Sequence, residues 1–420
     1  MGKRHNDLIV GLDIGSTAVR IAIGQIMERV DTREQELQIV GAIEVPSEGM
    51  HRGIISSIED VVSSISAALE QAEHLLNIPI ERVWLGVSGV HVMTQQSKGV
   101  VAVSKADSEI STEDVQRAVE AARAIATPLN YEVLHVLPKS FGVDGQTGIK
   151  DPVGMTGIRL DVDTQVILGL SSQIKNLTKA VYRAGLEIED LVLSVIAMSE
   201  AVLTHRQKDL GVAVLNLGGS TTSLAVYEEG DLMHHAVLPI GAEHITNDVA
   251  IGLRTAIDIA ERVKIKYGDC IYEALGKKDE IDLFELGADR HEMIKRKYLS
   301  EVIGARVEEI FYKVDQELKS VKRSGLLPAG VILTGGGAKM PGLVEATKKH
   351  LRLPAALGYP FNIASVTDKI NDLSFSTAIG LVKWGNLMTG TYRRPGTTGK
   401  GWQLGAASQQ LKKWIKALIP

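Results

Sequence analysis

"VLNLGGSTTSLAV" (214–226) restates in outline a stretch near the start of the chain, "VGLDIGSTAVRIAI" (10–23). Aligning Asn216 with Asp13 sets Gly218 on Gly15, and Leu224, Ala225 and Val226 on Ile21, Ala22 and Ile23. Each copy reads as an apolar strand, a turn containing Gly, Ser and Thr, and a second apolar strand, which is a β-hairpin signature. One such hairpin is an ordinary turn; two in register imply a duplicated domain. Facing turns from two domains could clasp one ligand from both sides.

A third glycine turn lies in "GVILTGGGAKMPGL" (330–343), read as strand, turn and helix start. Backbone N–H groups can surround phosphate oxygens only where side chains leave room, which is what glycine turns provide. The Walker pattern G-x-x-x-x-G-K-[ST] is absent, and no G-x-G-x-x-G stands between a strand and a helix. The usual P-loop and dinucleotide folds are therefore poor readings of the three turns.

The 420 residues exceed one ordinary core, so two or more domains are expected. Asp and Glu outnumber Lys and Arg by 51 to 46, which gives no general reason to expect a nucleic-acid partner. Cys270 is the single cysteine, excluding an internal disulfide framework and zinc-finger spacing and fitting a reducing cytoplasm. His234, His235 and the other histidines lack metal-ligand spacing such as H-E-x-x-H. The apolar run in "MGKRHNDLIVGLDIG" is broken by Asp13, unlike a secretory signal, and "MGKRHN" lacks the Ser or Thr of a myristoylation site. No apolar run approaches the ~18 residues of a spanning helix. The expectation is a protein that is soluble or bound to a surface.

Strands are expected at 8–13, 17–26 and 37–45, a helix at 58–76 and a strand at 83–89. The texture then changes: a strand in "KGVVAVS", a helix opened by a capping box of Ser111 and Asp114, and strands near 133–137 and 160–168 form a small α+β unit. A helix at 174–184 leads to the second hairpin. Beyond it, "ITNDVAIGL", "TAIDIAERVKIKYG" and the charged stretch 289–321 read as helical, and 375–385 as a short helix. The Gly, Thr and Pro content of "TGTYRRPGTTGKG" (389–401) marks a linker.

The residues now carry a resemblance. "LDIGST" resembles the first phosphate motif of the actin, Hsp70 and sugar-kinase ATPase superfamily, "LNLGGST" its second, "LTGGGAKMPG" its adenosine motif and "STAIGL" its second connecting helix. The order of elements, the insertion and the tail resemble the FtsA family, bacterial cell-division homologues of actin, over nearly the whole chain. The resemblance implies an α/β, actin-like two-lobed ATPase fold with duplicated ribonuclease-H-like domains, an inserted α+β subdomain and a C-terminal amphipathic helix. The implied boundaries are a lobe 1 core at 1–87 and 164–205 around the insertion 88–163, and a lobe 2 core at 206–244 and 326–370 around a subdomain at 245–325. A return helix at 371–388, the linker 389–401 and the terminal helix 402–420 complete the chain.

It also implies ATP and Mg2+ as cofactors. Gly15, Ser16 and Thr17 would hold phosphate in one lobe, and Gly218, Gly219, Ser220 and Thr221 in the other. Gly335, Gly336 and Gly337 would approach the adenosine, with Glu261 and Lys264 at the ribose or base. Asp13 would act near Mg2+ through water, since Mg2+ gives up its hydration reluctantly. Asn216 departs from the superfamily, many of whose members carry Asp there to hold metal or orient water. An amide keeps the shape but cannot act as a base, so binding with slow or absent hydrolysis is expected.

The end of the chain, "GKGWQLGAASQQLKKWIKALIP" (399–420), gathers Leu411, Trp414, Ile415 and Leu418 on one helical face and Lys412, Lys413 and Lys416 toward the other, with Trp402 ahead of them. At ~1.5 Å per residue such a helix cannot cross a ~30 Å hydrocarbon core and would lie in the interface of an anionic membrane. The resemblance implies a peripheral protein on the cytoplasmic face of the membrane at the division site, self-assembled into filaments, tethering the tubulin-like FtsZ and recruiting later division proteins. Arg290, Lys297 and Arg306 are candidates to receive the acidic FtsZ tail peptide. Two alternatives stand beside this: a small-molecule kinase, which would need a catalytic carboxylate between the lobes, and a type IV pilus actin-like adaptor, against which the basic tail argues.

Overall fold

A computed structural model describes residues 8–28, 35–104, 107–272, 276 and 279–390. The chain opens with β1 (Leu8–Ile14), β2 (Ala18–Glu28) and β3 (Gln35–Pro46), an antiparallel meander in which Ile14 pairs with Val19 across the first glycine turn. A small hairpin of β4 (Met50–His51) and β5 (Ile54–Ile55) precedes α1 (Ile58–Leu76), whose N-terminus is capped by the Ser57 hydroxyl. Next, β6 (Arg82–Val87) returns parallel to β1. The chain then leaves this sheet. β7 (Val92–Ala102), α2 (Thr112–Ala126), β8 (Tyr131–Val143), β9 (Gln146–Ile149) and β10 (Arg159–Leu170) build a separate four-stranded sheet in the order β7-β10-β8-β9, with a core of its own around Val119, Phe141 and Leu160. The boundary expected at 163 falls inside β10, because that strand pairs with both β7 and β8 along its length.

After α3 (Ser171–Arg183), β11 (Glu187–Leu193) rejoins the first sheet parallel to β6, and α4 (Ser194–Val202) leads out of it. Lobe 2 follows with α5 (His205–Leu210), β12 (Val212–Leu217), β13 (Thr222–Glu228), β14 (Asp231–Leu238), α6 (Ala242–Leu253) and α7 (Ile257–Tyr267). Then come β15 (Glu280–Asp282), β16 (Met293–Lys295), α8 (Arg296–Ser320), β17 (Val331–Thr334), α9 (Leu343–Leu351) and β18 (Ala355–Leu357). The helix expected over 289–321 starts only at Arg296. Before it, Asp282 accepts hydrogen bonds from the Phe284 and Glu292 amides and meets His291, holding 280–295 as a β-hairpin with Ile281 opposite Ile294.

The two sheets share one topology. The first orders β11-β6-β1-β2-β3 and the second β18-β17-β12-β13-β14, each with a central strand, two antiparallel neighbours on one side and two parallel strands on the other. β12 shows why the lobes hold together: Val212 and Val214 face the core shared with lobe 1, while Ala213, Leu215 and Leu217 face that of α6 to α9. β19 (Ala364–Ser365) crosses back to pair with β3, and α10 (Ser376–Gly390) runs against β1 and α4. A side chain at Gly380 would put Cβ 2.3 Å from the Ala197 carbonyl oxygen, so α10 and α4 cross at backbone contact. The helix expected to end near 385–388 continues to Gly390, two residues into the expected linker.

Candidate functional site

The two glycine turns are the same object. The Gly15 N–H donates to the Ala18 carbonyl at 3.0 Å and the Gly218 N–H to the Thr221 carbonyl at 2.9 Å, each at the C-terminal end of a central strand. A Cβ on Gly15 would stand 2.9 Å from the Ala18 oxygen, and one on Gly218 3.0 Å from the Thr221 oxygen, so side chains there would crowd the turn. The turns also meet: Ser16 Oγ lies 2.5 Å from Ser220 Oγ, and a Cβ on Gly219 would fall 2.5 Å from Thr17 Cγ2. One hairpin comes from each lobe, and the two tips meet.

Asp13 stands one pair short of the first tip, in a row with Arg20 on β2 and Glu44 on β3. Arg20 Nε bonds Glu44 Oε2 at 2.6 Å. Burial pushes the Asp13 carboxyl up to about 6 against the opposing pull of Arg20. An acid held above its usual range has too little positive charge beside it, which suits the arrival of a cation. Among the described residues, no group of three or more His, Cys, Asp or Glu could hold a metal. A hydrated Mg2+ carried largely by phosphate needs no such group. The equivalent Asn216 lies between Ser223 and Thr334, and a Cβ on Gly335, whose φ is +88°, would sit 2.2 Å from Asn216 Oδ1.

The third turn divides its labour. Gly335 and Gly337 lie against the end of β12, where a Cβ on Gly337 would come within 2.9 Å of Leu217 Cβ. Gly336 faces open space: a Cβ there would have its nearest neighbour, Ser374 Cβ, at 4.0 Å. The first turn of α6 sits on the second phosphate turn, with the Ala242 N–H donating to the Gly218 carbonyl and the Glu243 N–H to that of Gly219, both at 2.9 Å. Buried Lys264 reaches this point from α7, donating to Thr246 Oγ1 at 2.6 Å and the Ala242 carbonyl at 3.3 Å and pairing with Glu261 at 2.6 Å. The sequence-derived residues of both phosphate turns, the third turn and the Glu261–Lys264 pair thus converge on one region around β1, β12 and α6. A separate cavity of about 750 Å³ is bounded by Lys339, Tyr359, Lys369 and Asp372; no phosphate-turn residue is in its wall. Lys339 and Asp372 are paired at 2.5 Å there.

Sequence reasoning missed three contributors. The β4–β5 hairpin puts the Arg52 N–H 2.9 Å from Ser220 Oγ, Ser88 Oγ at the end of β6 lies 3.3 Å from Ser223 Oγ, and Glu243 Oε1 would stand 3.2 Å from a Cβ on Gly219. The paired glycines of "GMHRG" (49–53), both at positive φ, were the one available signal of a tight turn between β3 and α1.

The three candidate basic residues for a peptide differ. Arg306 is occupied, its guanidinium binding Asp248 through Nε at 2.5 Å and Nη2 at 2.8 Å and also meeting Glu309. Lys297 stands 4.0 Å from Glu301 and over the Tyr272 ring. Arg290 is exposed in the β15–β16 loop rather than on the helix. Trp402, Leu411, Lys412, Lys413, Trp414, Ile415, Lys416 and Leu418 lie outside the described residues. Among the described residues no helix is long and apolar enough to cross a membrane.

Comparison with known proteins adds to this geometry. A family model described as Cell division protein FtsA matches residues 213–380, and one described as the SHS2 domain inserted in FTSA matches 89–168. The FtsA of Neisseria meningitidis is 36% identical over 410 residues, covering 96% of this chain and 97% of that protein. That of Pseudomonas aeruginosa is 35% identical over 378 residues, covering 90% and 89%. Among solved structures, a chain of the PilM-PilN type IV pilus biogenesis complex is alike at a TM-score of 0.65 and 17% identity, covering 90% of this chain and 98% of that one. MreB5 of Spiroplasma citri bound to ADP is alike at 0.53 and 12%, covering 93% and 99%. At such identities these two speak to the actin-like fold alone.

Proposed function

This chain belongs to the FtsA family of cell division proteins, and from that premise we propose that it binds ATP with Mg2+ between its lobes, assembles on the cytoplasmic face of the membrane and tethers FtsZ there. The observation that carries the nucleotide reading is the contact of two equivalent glycine turns at Ser16 and Ser220. The N–H groups and hydroxyls of Ser16, Thr17, Gly219, Ser220 and Thr221 would hold the phosphates, Gly336 would leave room for the nucleoside, and Lys264 and Glu261 would orient it. Asp13 would hold water of the Mg2+ shell; the ion supplies charge neutralisation at the phosphates. Asn216 can orient a water but cannot take its proton, so turnover is expected to be slow or absent. Rapid ATP hydrolysis by the purified chain, abolished by a substitution at Asp13, would refute that.

The membrane reading is supported by the basic, apolar-faced sequence at 402–420. Four apolar side chains contribute ~1.5–3 kcal/mol each when fully buried and each lysine ~1 kcal/mol near anionic lipid, offset by the ordering of a short helix. One tail would bind reversibly, and a filament would add avidity. FtsZ attachment is assigned to the lobe 2 face carrying Arg290 and Lys297; Arg306 is already paired. Recruitment of later division proteins is assigned to the inserted subdomain.

Co-sedimentation with anionic vesicles tests this reading. The intact chain with ATP is expected to pellet and carry FtsZ, whereas a chain ending at Gly390 does neither. Arg290→Glu is expected to keep lipid binding and lose most of the FtsZ. If both chain lengths stay in solution the tether is wrong; if Arg290→Glu retains FtsZ, the peptide binds elsewhere.

A further inference from the structure

We propose that Arg52 is a phosphate ligand reaching from lobe 1 to the terminal phosphate of a nucleoside triphosphate held between the two turns. This rests on the nucleotide reading above and adds to it a residue that distinguishes triphosphate from diphosphate. Arg52 stands at the tip of the β4–β5 hairpin with φ +53°, beside Gly53 at +75°. Its backbone N–H donates at 2.9 Å to Ser220 Oγ, on a nearly buried side chain that also meets Ser16. The tip is fixed from behind, since a Cβ on Gly53 would lie 2.3 Å from the Ser88 carbonyl oxygen, and from below, where the Ser56 N–H donates to the Gly49 carbonyl at 2.8 Å.

The choice of residue is informative. A left-handed position suits Gly or Asn, and an arginine there keeps backbone strain that a glycine would relieve. The Arg52 side chain is exposed, and it makes no salt bridge with a described residue. Two other arginines near the turns are committed, Arg20 to Glu44 and Arg306 to Asp248. Burial first, then Arg306, then Arg52 hold the His244 imidazole below its usual range, so the Arg52 charge is felt at the first turn of α6. An arginine whose backbone sits on the second glycine turn, and whose guanidinium has no carboxylate partner among the described residues, matches an anion with several oxygens better than a single carbonyl. The anion in question extends past the phosphates already held by the turns, toward the hairpin that bridges the lobes.

Equilibrium binding of fluorescent ATP and ADP analogues with Mg2+ to the full chain tests the assignment. Arg52→Ala and Arg52→Gly are expected to weaken ATP binding by about tenfold or more while ADP changes by less than about threefold, and Arg52→Lys to fall between. Arg52→Gly relieves the φ strain, so its melting temperature is expected to equal or exceed that of the unmodified chain, which separates ligand loss from misfolding. Equal losses for ATP and ADP, or no loss in the glycine variant, overturn the proposal and leave the nucleotide reading intact. An unmodified chain that binds neither nucleotide overturns both.

Discussion

Asp13→Asn is expected to raise the stability of the nucleotide-free chain at pH 8 by about 1–3 kcal/mol and to abolish Mg2+-dependent nucleotide binding. The carboxyl moves from its ordinary 3.8 up to about 6 because burial disfavours its charged form more than Arg20 favours it. The folded state therefore holds the proton more tightly than the unfolded one. Its favourable contribution is fully present below about pH 4 and is lost as pH rises through 6, leaving a strained carboxylate at neutral pH. Asn does not titrate, so its advantage should vanish in melts at pH 4 and grow to a few degrees at pH 8. A gain of equal size at both pH values would show that packing, and not charge, is responsible. The same substitution removes an acid beside the first phosphate turn, the trade expected where stability yields to ligand binding.

The second large effect belongs to the inserted subdomain. Asp114→Ala is expected to destabilise it by about 2–5 kcal/mol, enough to open it locally while the lobes stay folded. The Asp114 side chain has no exposure and accepts from the Ser111 amide at 2.9 Å, the Ser111 hydroxyl at 2.6 Å, the Ser104 amide at 3.1 Å and hydroxyl at 2.8 Å, and Arg117 at 2.5 Å. Burial alone would raise its proton affinity, but the bonds from Ser111, Arg117 and Ser104 outweigh burial and hold it well below the carboxylate range. A depressed group stabilises above the unfolded value near 3.8 and stops doing so as pH falls through its folded value, so the native subdomain should survive mild acid. Hydrogen exchange across α2 and β7 would read the change: fast exchange there with unchanged β12 and β17 fits, and unaltered α2 protection refutes it. Asp114→Asn, which keeps the shape but not the charge, should fall between.

Much of this molecule is legible in its sequence. The matched hairpins, the Ser111–Asp114 capping box and the α1 helix are set by neighbours within a few residues, where glycine, hydroxyl and carboxylate chemistry acts on the adjacent backbone. Periodicity misled at 289–295, where Asp282 ties the segment into a hairpin from outside the stretch being read. It also gave no reason to separate Arg306, paired to Asp248 on another helix, from exposed Arg290.

The chain by itself determined that there would be two equivalent glycine turns and a third beside them, because turn geometry follows from residues within a span of four. Only the tertiary structure decided that Ser16 and Ser220, 204 residues apart, would touch, that the Arg52 tip would reach Ser220 across 168 residues, and that Asp13 would be desolvated enough to be pushed up to about 6. Contacts of that range depend on how two sheets dock through α4 and α10, and desolvation is a property of everything packed around a group, not of its neighbours in the chain.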